Sequence, residues 1–272
     1  MLHSAITISL VSQARGGPFV YWDGLEAGCR DAAQLGFDAV EIFPPAASAI
    51  DPAALRELLK RHQLKVAAFG TGGGWLIHRW HLTHADASVR QQAREFIRGV
   101  IDLAGAFQTG AIIGSMQGKF EGEVSRDQAL AWLAEALKDL GAHALKVGAK
   151  LFYEPLNRYE TNLLNRQLDA VEFLQRHQIK GVQLLCDLYH MNIEEADLAA
   201  TLRAAGPWVG HVHYADSNRW AMGGGHTAVA PIIQALKAIN YQGYLSGEVL
   251  PLPNSQQAAQ QTLASFRQAT QN

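Results

Sequence analysis

Residues 151–160, LFYEPLNRYE, join an apolar strand to carboxylates at its end. Leu151, Phe152 and Tyr153 indicate a buried strand, Glu154 follows at once, and Glu160 comes six residues later. A carboxylate at the end of a buried strand is costly unless it is paired, protonated or bound to a metal ion. Whether other strands of the chain end in the same way therefore decides what this segment does.

Seven other apolar runs of strand length recur along the chain, and amphipathic segments of helical period separate them. The strand-length runs are nearly continuously apolar, which is typical of parallel strands that helices cover on both faces. The amphipathic segments are the expected covering helices. The predicted strands span residues 5–12, 38–43, 65–70, 111–116, 150–156, 182–191, 209–217 and 243–250. The predicted helices include residues 88–107, 127–148, 165–177 and 227–240. The apolar face of the first of these helices comprises Ala93, Phe96, Ile97, Val100 and Ile101.

The spacing of these segments predicts an α/β fold of the TIM-barrel type. Eight strands in 272 residues leave 34 residues for each strand–helix unit. Such a unit needs about 30 residues, and a (β/α)8 barrel about 250. A doubly wound sheet usually shows a G-x-G-x-x-G fingerprint after its first strand, and the segment SLVSQARGGPF lacks it. We therefore expect residues 1–272 to form a single (β/α)8 barrel domain.

The composition argues against nucleic-acid and membrane partners. Hydrophobic residues make up 48% of the chain, charged residues 18%, and the formal net charge is -2. No basic surface for nucleic acid is indicated, no apolar run approaches the roughly 20 residues of a spanning helix, and the first residues lack a signal-peptide pattern. Cys29 and Cys186 are expected to be buried thiols rather than a disulfide, which favours a cytoplasmic location.

Four consecutive predicted strands deliver polar side chains to the carboxyl-terminal rim, where the chemistry of such barrels lies. Three carboxylates with one imidazole and no thiolate favour a hard or borderline divalent ion such as Mn²⁺, Mg²⁺ or Co²⁺. A structural zinc site would instead require cysteines. The rim residues of strands five to eight are Glu154; Asp187 and His190; His211, His213, Asp216 and Arg219; and Glu248.

These segments resemble a known family. FYEPLNRYETNLLN, LLCDLYHMNIEE, HVHYADSNR and SGEV are similar to the four signature segments of the ketose 3-epimerases, the D-tagatose and D-allulose 3-epimerases among the xylose-isomerase-like barrels. The resemblance is specific for strands five to eight and loose elsewhere. It implies that the metal ligands are Glu154, Asp187, His213 and Glu248. It also implies that the substrate contacts are Glu160, His190 and Arg219.

The resemblance implies an activity as well. A keto sugar would be epimerised at C3 through a cis-enediolate, with Glu154 and Glu248 as acid and base and one divalent ion, Mn²⁺ above Mg²⁺ or Co²⁺, as Lewis acid. A homo-oligomer, dimer or tetramer, is expected. Free, phosphorylated and glycosidic keto sugars are all candidate substrates.

Two other functions share the barrel. A metal-dependent aldose–ketose or keto-inositol (inosose) isomerase would use a similar enediolate. A phosphodiester-cleaving enzyme like endonuclease IV is disfavoured, because it would need more metal ligands and a basic face. Strands one to four end without such ligands, with Glu41 as the one exception, and the net charge is negative.

The segment FGTGGGW, residues 69–75, has the glycine content of a phosphate loop without its spacing. No glycine stands where the G-x-G-x-x-G pattern from Gly70 would require one, since Trp75 occupies that position, and no GK[ST] follows. We expect a flexible loop at residues 70–75 with Trp75 as a wall of the pocket. His78, His81 and His84 are expected to line the mouth or to be solvated, rather than to bind a second metal. His211 is expected to pack or to form a hydrogen bond beneath the site.

Overall fold

The computed structural model describes residues 2–271 and shows a closed barrel of eight parallel strands in sequential order. Each strand pairs with its neighbours in the chain, and β8 closes the barrel on β1. The strands are β1 His3–Ser9, β2 Ala39–Phe43, β3 Lys65–Gly70, β4 Gly110–Ile113, β5 Lys150–Tyr153, β6 Val182–Asp187, β7 Val209–His213 and β8 Tyr244–Gly247. The predicted α/β (β/α)8 fold is confirmed.

Helices surround the barrel and alternate with its strands. They are α1 Leu25–Leu35, α2 Pro52–His62, α3 Gly73–His78, α4 Ala87–Ala106, α5 Arg126–Val147, α6 Gln167–Arg176, α7 Leu188–Glu194, α8 Leu198–Ala205, α9 Val229–Ala238 and α10 Ser255–Thr270. The predicted apolar face of α4 is confirmed at Ala93, Ile97, Val100 and Ile101, which are buried, whereas Phe96 is half-buried. No helix within residues 2–271 is long and apolar enough to cross a bilayer.

Several strands end earlier than their apolar runs because the chain turns directly into the next element. The run 182–191 leaves the sheet at Asp187, where the carboxylate accepts a hydrogen bond from the Tyr189 backbone N–H at 2.8 Å. This bond caps the first turn of α7. Strand β7 likewise ends at His213, four residues before the end of its apolar run. The residues that follow these strands are thereby placed at the rim.

The barrel interior is filled by a small-residue cluster and an aromatic cluster. Ala5, Ala39 and Ala67 form the small cluster near the amino-terminal ends of the strands. Phe43 and Phe152 belong to the aromatic cluster above it. Glycines in other strands make room for these rings, and a Cβ at any of them would collide with a ring; they are Gly70, Gly110 and Gly210.

The predicted flexible loop at residues 70–75 is wrong in part, because its second half opens helix α3. The glycines there serve close packing. A Cβ at Gly73 would lie 2.8 Å from the carbonyl oxygen of Pro44, and one at Gly74 would lie 2.5 Å from the Met116 side chain. Trp75 follows within this helix.

Candidate metal and sugar site

The four predicted ligands converge at the carboxyl-terminal end of the barrel. Asp187 and His213 are the last residues of β6 and β7, and Glu154 and Glu248 directly follow β5 and β8. One ligand atom from each of the four residues lies within 4.8 Å of the others, and all four residues are buried. Strand order alone produces this arrangement, because β5 to β8 are consecutive neighbours in the barrel.

His213 is the centre of the cluster. Its Nδ1 lies 3.5 Å from Glu154 Oε1 and 3.6 Å from Asp187 Oδ2. The same nitrogen lies 3.5 Å from Glu248 Oε2. These distances are too long for strong hydrogen bonds, and they leave room between the four groups.

The donor set fits a divalent cation. Glu154 Oε1, Asp187 Oδ2 and His213 Nδ1 are buried atoms without a hydrogen-bond partner. Buried polar atoms without partners are rare in native proteins, and here they point at the same place as Glu248. Oxygen and imidazole donors without a thiolate suit Mn²⁺, Mg²⁺ or Co²⁺. A single ion at this position would satisfy every one of these orphaned atoms.

The electrostatics of the metal-free cluster are those of a crowded buried set of acids. Burial raises the pKa of Glu154 to about 7, and the carboxylates of Glu248 and Asp187 add to the rise although His213 opposes it. Burial likewise raises the pKa of Glu248, against the charges of His213 and Arg219. Burial would lower the pKa of His213, but the carboxylates of Glu248 and Glu41 hold it well above its ordinary value. The cluster therefore retains protons that a cation would displace.

His190 presents an N–H group to the same space. Its Nδ1 accepts a hydrogen bond from Asn157 Nδ2 at 2.8 Å, so the proton of the neutral ring is assigned to Nε2. Burial lowers the pKa of His190 to about 4, which keeps the ring neutral. Nε2 has no partner and lies 3.6 Å from Asp187 Oδ2 and 3.8 Å from Glu154 Oε1.

Arg219 reaches the cluster from the loop after β7. Its Nη2 donates to Glu248 Oε2 at 2.5 Å, and its Nη1 lies 3.5 Å from Glu160 Oε1. The guanidinium carbon lies 4.8 Å from the ring centroid of Tyr189, a contact that the sequence did not indicate. All three predicted substrate-contacting residues thus adjoin the four predicted ligands.

A cavity of 420 Å³ opens above the cluster. One side carries the charged groups just described, and the other side is apolar and includes Trp75, as expected. A second cavity of 210 Å³ shares Trp75, Ser115, Leu156 and Glu160 with the first. The apolar lining of the larger cavity comprises Phe19, Phe43, Trp75, Leu76, Ile112 and Leu156.

His78 at the end of α3 and His81 and His84 after it do not form a metal site. Within residues 2–271, the groups able to hold a metal are the four-residue cluster and the set Glu41, His211 and His213. His78 is exposed, as expected, but His81 is buried and lies 3.3 Å from Thr83 Oγ1. The expectation of a solvated or mouth-lining residue is therefore corrected for His81, which lines the smaller cavity from a buried position.

The sequence did not indicate that Glu41 is hydrogen-bonded to a candidate metal ligand. The predicted hydrogen bond of His211 beneath the site is confirmed, and its partner is Glu41, whose Oε2 accepts from His211 Nε2 at 2.6 Å. The other oxygen, Oε1, accepts from His213 Nε2 at 2.9 Å. Glu41 lies within β2 rather than at its end. The inward alternation of Ala39, Glu41 and Phe43 was the available signal.

The fold and the site define the class. The sequence profile of the xylose isomerase-like TIM-barrel family matches residues 29–269, and the chain belongs to this family. L-ribulose 3-epimerase of Methylomonas sp. (strain DH-1) is 32% identical over 243 residues, which cover 86% of this chain and 83% of that protein. The resemblance to ketose 3-epimerases is thereby confirmed, and the chain is an enzyme of the isomerase class.

Two solved structures extend this similarity over nearly the whole chain. The D-allulose 3-epimerase of Methylomonas sp. in complex with D-allulose superposes with a TM-score of 0.81 at 27% identity, covering 98% of this chain and 97% of that one. The 3-keto-D-glucoside 4-epimerase of E. coli superposes with a TM-score of 0.84 at 25% identity, covering 98% and 99%. Both are sugar epimerases.

Proposed function

We propose that the protein is a metal-dependent ketose 3-epimerase that interconverts keto sugars at C3. The observation that carries this proposal is the convergence of buried, unpartnered ligand atoms from β5, β6 and β7 with Glu248, beneath a cavity walled by Glu160, His190 and Arg219. A buried acid–base pair beside a cation site can remove a proton next to a carbonyl.

Glu154 and Glu248 are the proposed acid and base. They follow β5 and β8, so two strands lie between them and they can address opposite faces of an extended substrate. One carboxylate removes the C3 proton, and the other returns a proton to the opposite face, with the roles exchanged for the reverse direction. When bound, the divalent ion, for which we propose Mn²⁺ ahead of Mg²⁺ or Co²⁺, supplies a Lewis acid that stabilises the enediolate charge.

The remaining polar residues orient the sugar in this proposal. His190 donates its Nε2–H to a substrate oxygen near C2, since that group faces the site without a partner. Arg219 offers a planar pair of N–H groups to the C1 and C3 hydroxyls while it donates a hydrogen bond to Glu248. Glu160 anchors the C1 end beside Arg219.

A second candidate is the 4-epimerisation of a 3-keto glycoside. The smaller cavity supports it, because it adjoins the larger one at Trp75 and Leu156 and adds space for a second sugar or an aglycone. The chemistry is the same proton transfer next to a ketone, moved by one carbon. The aldose–ketose or inosose isomerase stays a third alternative, with proton transfer between C1 and C2.

Proton NMR of the Mn²⁺-treated protein in D₂O, read after removal of the metal, separates these reactions. The panel contains D-allulose, D-fructose, D-tagatose, L-ribulose and a 3-keto glucoside. Deuterium at C3 together with the C3 epimer is the expected result. Deuterium at C4 of the 3-keto glucoside alone would establish the second candidate, and label at C1 or in an aldose would establish an isomerase. Absence of exchange with all five sugars would overturn the proposal.

We further propose a cytoplasmic homo-oligomer, dimer or tetramer. The two cysteines support the reducing location, since Cys29 and Cys186 are buried free thiols. Size-exclusion chromatography with light scattering tests the assembly directly.

A further inference from the structure

Glu41 is a buried carboxylate in the barrel interior that contacts neither the cavity nor solvent. Glu41 and its two imidazole partners are each no more than 1% exposed. Glu41 lies on β2 and both histidines lie on β7, and these strands are not neighbours in the barrel. The side chain therefore reaches across the barrel interior to form both bonds. The mechanism proposed above uses neither Glu41 nor His211.

One hydrogen bond, to Glu41, defines the direction of the His213 ring. Glu41 Oε1 lies 2.9 Å from His213 Nε2, and this nitrogen is the donor, because a carboxylate can only accept. With one proton on Nε2, Nδ1 is the nitrogen left to bind a cation, and it is the atom that faces Glu154, Asp187 and Glu248. A ligating histidine commonly gives its other N–H to a carboxylate, which fixes the tautomer and the ring orientation.

His211 holds the carboxylate itself in place. It donates from Nε2 to the second oxygen of Glu41 at 2.6 Å. Its ring is in turn stacked on Phe152, with centroids 5.3 Å apart and an interplanar angle of 14°. The chain of contacts Phe152, His211, Glu41, His213 ends at the open Nδ1.

We propose that Glu41 is a positioning residue that fixes the tautomer and orientation of His213 for metal binding, with His211 as its support. The inference rests on the proposed metal site. It differs from that site in its residues and in its readout, which is metal affinity rather than turnover.

Glu41→Gln is the decisive variant because it keeps the shape of the side chain. An amide has one acceptor atom, so it can accept from only one of the two imidazoles and directs an NH₂ group at the other. His213 then either loses its acceptor or moves its proton to Nδ1, where the lone pair is needed. We expect the Mn²⁺ dissociation constant to rise about 10–100-fold. Isothermal titration calorimetry of the metal-stripped protein measures it.

Glu195→Gln is the matched control. Glu195 is also a buried carboxylate with several donors, among them the Gln167 backbone N–H at 2.8 Å and Thr201 Oγ1 at 3.3 Å. It belongs to neither group of metal-ligating side chains. The same chemical change at Glu195 should lower the stability of the fold and leave the Mn²⁺ affinity unchanged.

A measurement on the unaltered chain covers the case in which Glu41→Gln does not fold. In Mg²⁺-loaded, ¹⁵N-histidine-labelled protein, His213 should show a slowly exchanging Nε2–H signal, assigned with the help of His211→Gln. A metal-loaded His213 without a proton on Nε2 would overturn the inference, as would a folded Glu41→Gln variant with unchanged Mn²⁺ affinity. A parent protein that binds no divalent ion would overturn the metal-dependent function first, and this inference with it.

Discussion

At the residue scale, the two candidate catalytic carboxylates have different neighbours. Glu248 Oε2 accepts a hydrogen bond from Arg219, whereas Glu154 Oε1 has no donor. The backbone of Glu154 is nevertheless fixed, because its carbonyl accepts from Gln117 Nε2 at 2.8 Å. In the metal-free protein Arg219 therefore favours the ionised form of Glu248. Burial raises the pKa of Glu154 to about 7, and no arginine opposes this rise.

The proposed roles of Glu154 and Glu248 as acid and base are tested by the two Glu→Gln variants. Glu154→Gln and Glu248→Gln should each lower epimerisation by a factor of about 10²–10⁴, since each removes one proton-transfer group. Each should still fold with a parental circular-dichroism spectrum. Each variant should also retain deuterium uptake from only one of the two epimers, because a single base remains. Glu160→Gln is the control and should mainly raise KM. Full turnover in either catalytic variant would rule out the two-base scheme.

The sequence indicated the four ligand candidates because each is a polar residue in the second half of an apolar run and lies in a segment that resembles the ketose 3-epimerases, both of which can be read along the chain. The role of Glu41 could not be read in this way. Its bonding partners lie 170 and 172 residues away, on a strand that does not neighbour β2. A charged residue inside an otherwise apolar strand was the only local sign.

At the element scale, the loop between β7 and α9 is built around one carboxylate. Asp216 accepts from the backbone N–H groups of Ser217 at 2.7 Å and Gly223 at 2.7 Å. It also accepts from those of Gly225 at 2.9 Å and Thr227 at 3.0 Å. Arg219 lies within this loop at a φ of 62°, a left-handed conformation that costs free energy in a non-glycine residue.

Removal of this carboxylate should therefore disturb the guanidinium position. We expect Asp216→Ala to lower the free energy of unfolding by about 1–3 kcal/mol, the order of magnitude of hydrogen bonds to a charged group, and to raise KM more than it lowers kcat. Asp216→Asn keeps one acceptor oxygen and should lie between the parent and Asp216→Ala. Urea denaturation and steady-state kinetics measure the two effects. An unchanged KM in a destabilised Asp216→Ala would show that the loop does not position Arg219.

Helix α3 shows why some elements escaped prediction. Glycine is a poor helix former, so GGWLIH does not read as a helix. Its glycines are required by the approach of Pro44 and Met116, which follow β2 and β4. Long helices with regular apolar periodicity, such as α4, were predicted to within one residue at each end. Short elements formed by tertiary packing carry no such local pattern.

At the scale of the whole molecule, the site brings together residues from five of the eight strands. The four candidate ligands come from β5 to β8, and Glu41 adds β2 through its bond to His213. Binding of an ion to all four ligands therefore cross-links strands that are far apart in sequence. A ligand that binds only the folded state stabilises it, by about 2.7 kcal/mol when its free concentration is 100 times the dissociation constant.

The stabilisation by metal should grow with pH. Between pH 6.5 and 8 Glu154 and His213 bind more protons in the metal-free fold than in the unfolded chain, because the pKa of Glu154 is raised to about 7 and that of His213 well above its ordinary value. The contribution of these two groups to stability therefore falls as the pH rises through this window. The lowered pKa values of His190, His211 and His81 act in the opposite direction, and their effect fades as the pH rises above their ordinary value of 6.5.

Thermal unfolding with Mn²⁺ and with EDTA tests this prediction. At a Mn²⁺ concentration 100 times the dissociation constant, the two Tm values should differ by roughly 5–10 °C. At a fixed Mn²⁺ concentration the difference should be larger at pH 8 than at pH 6.5, since fewer protons must leave the ligands. Asp187→Asn, which weakens one ligand, should lose most of the difference at both pH values. A difference that stays constant from pH 6.5 to 8 would mean that the metal does not displace protons from this cluster.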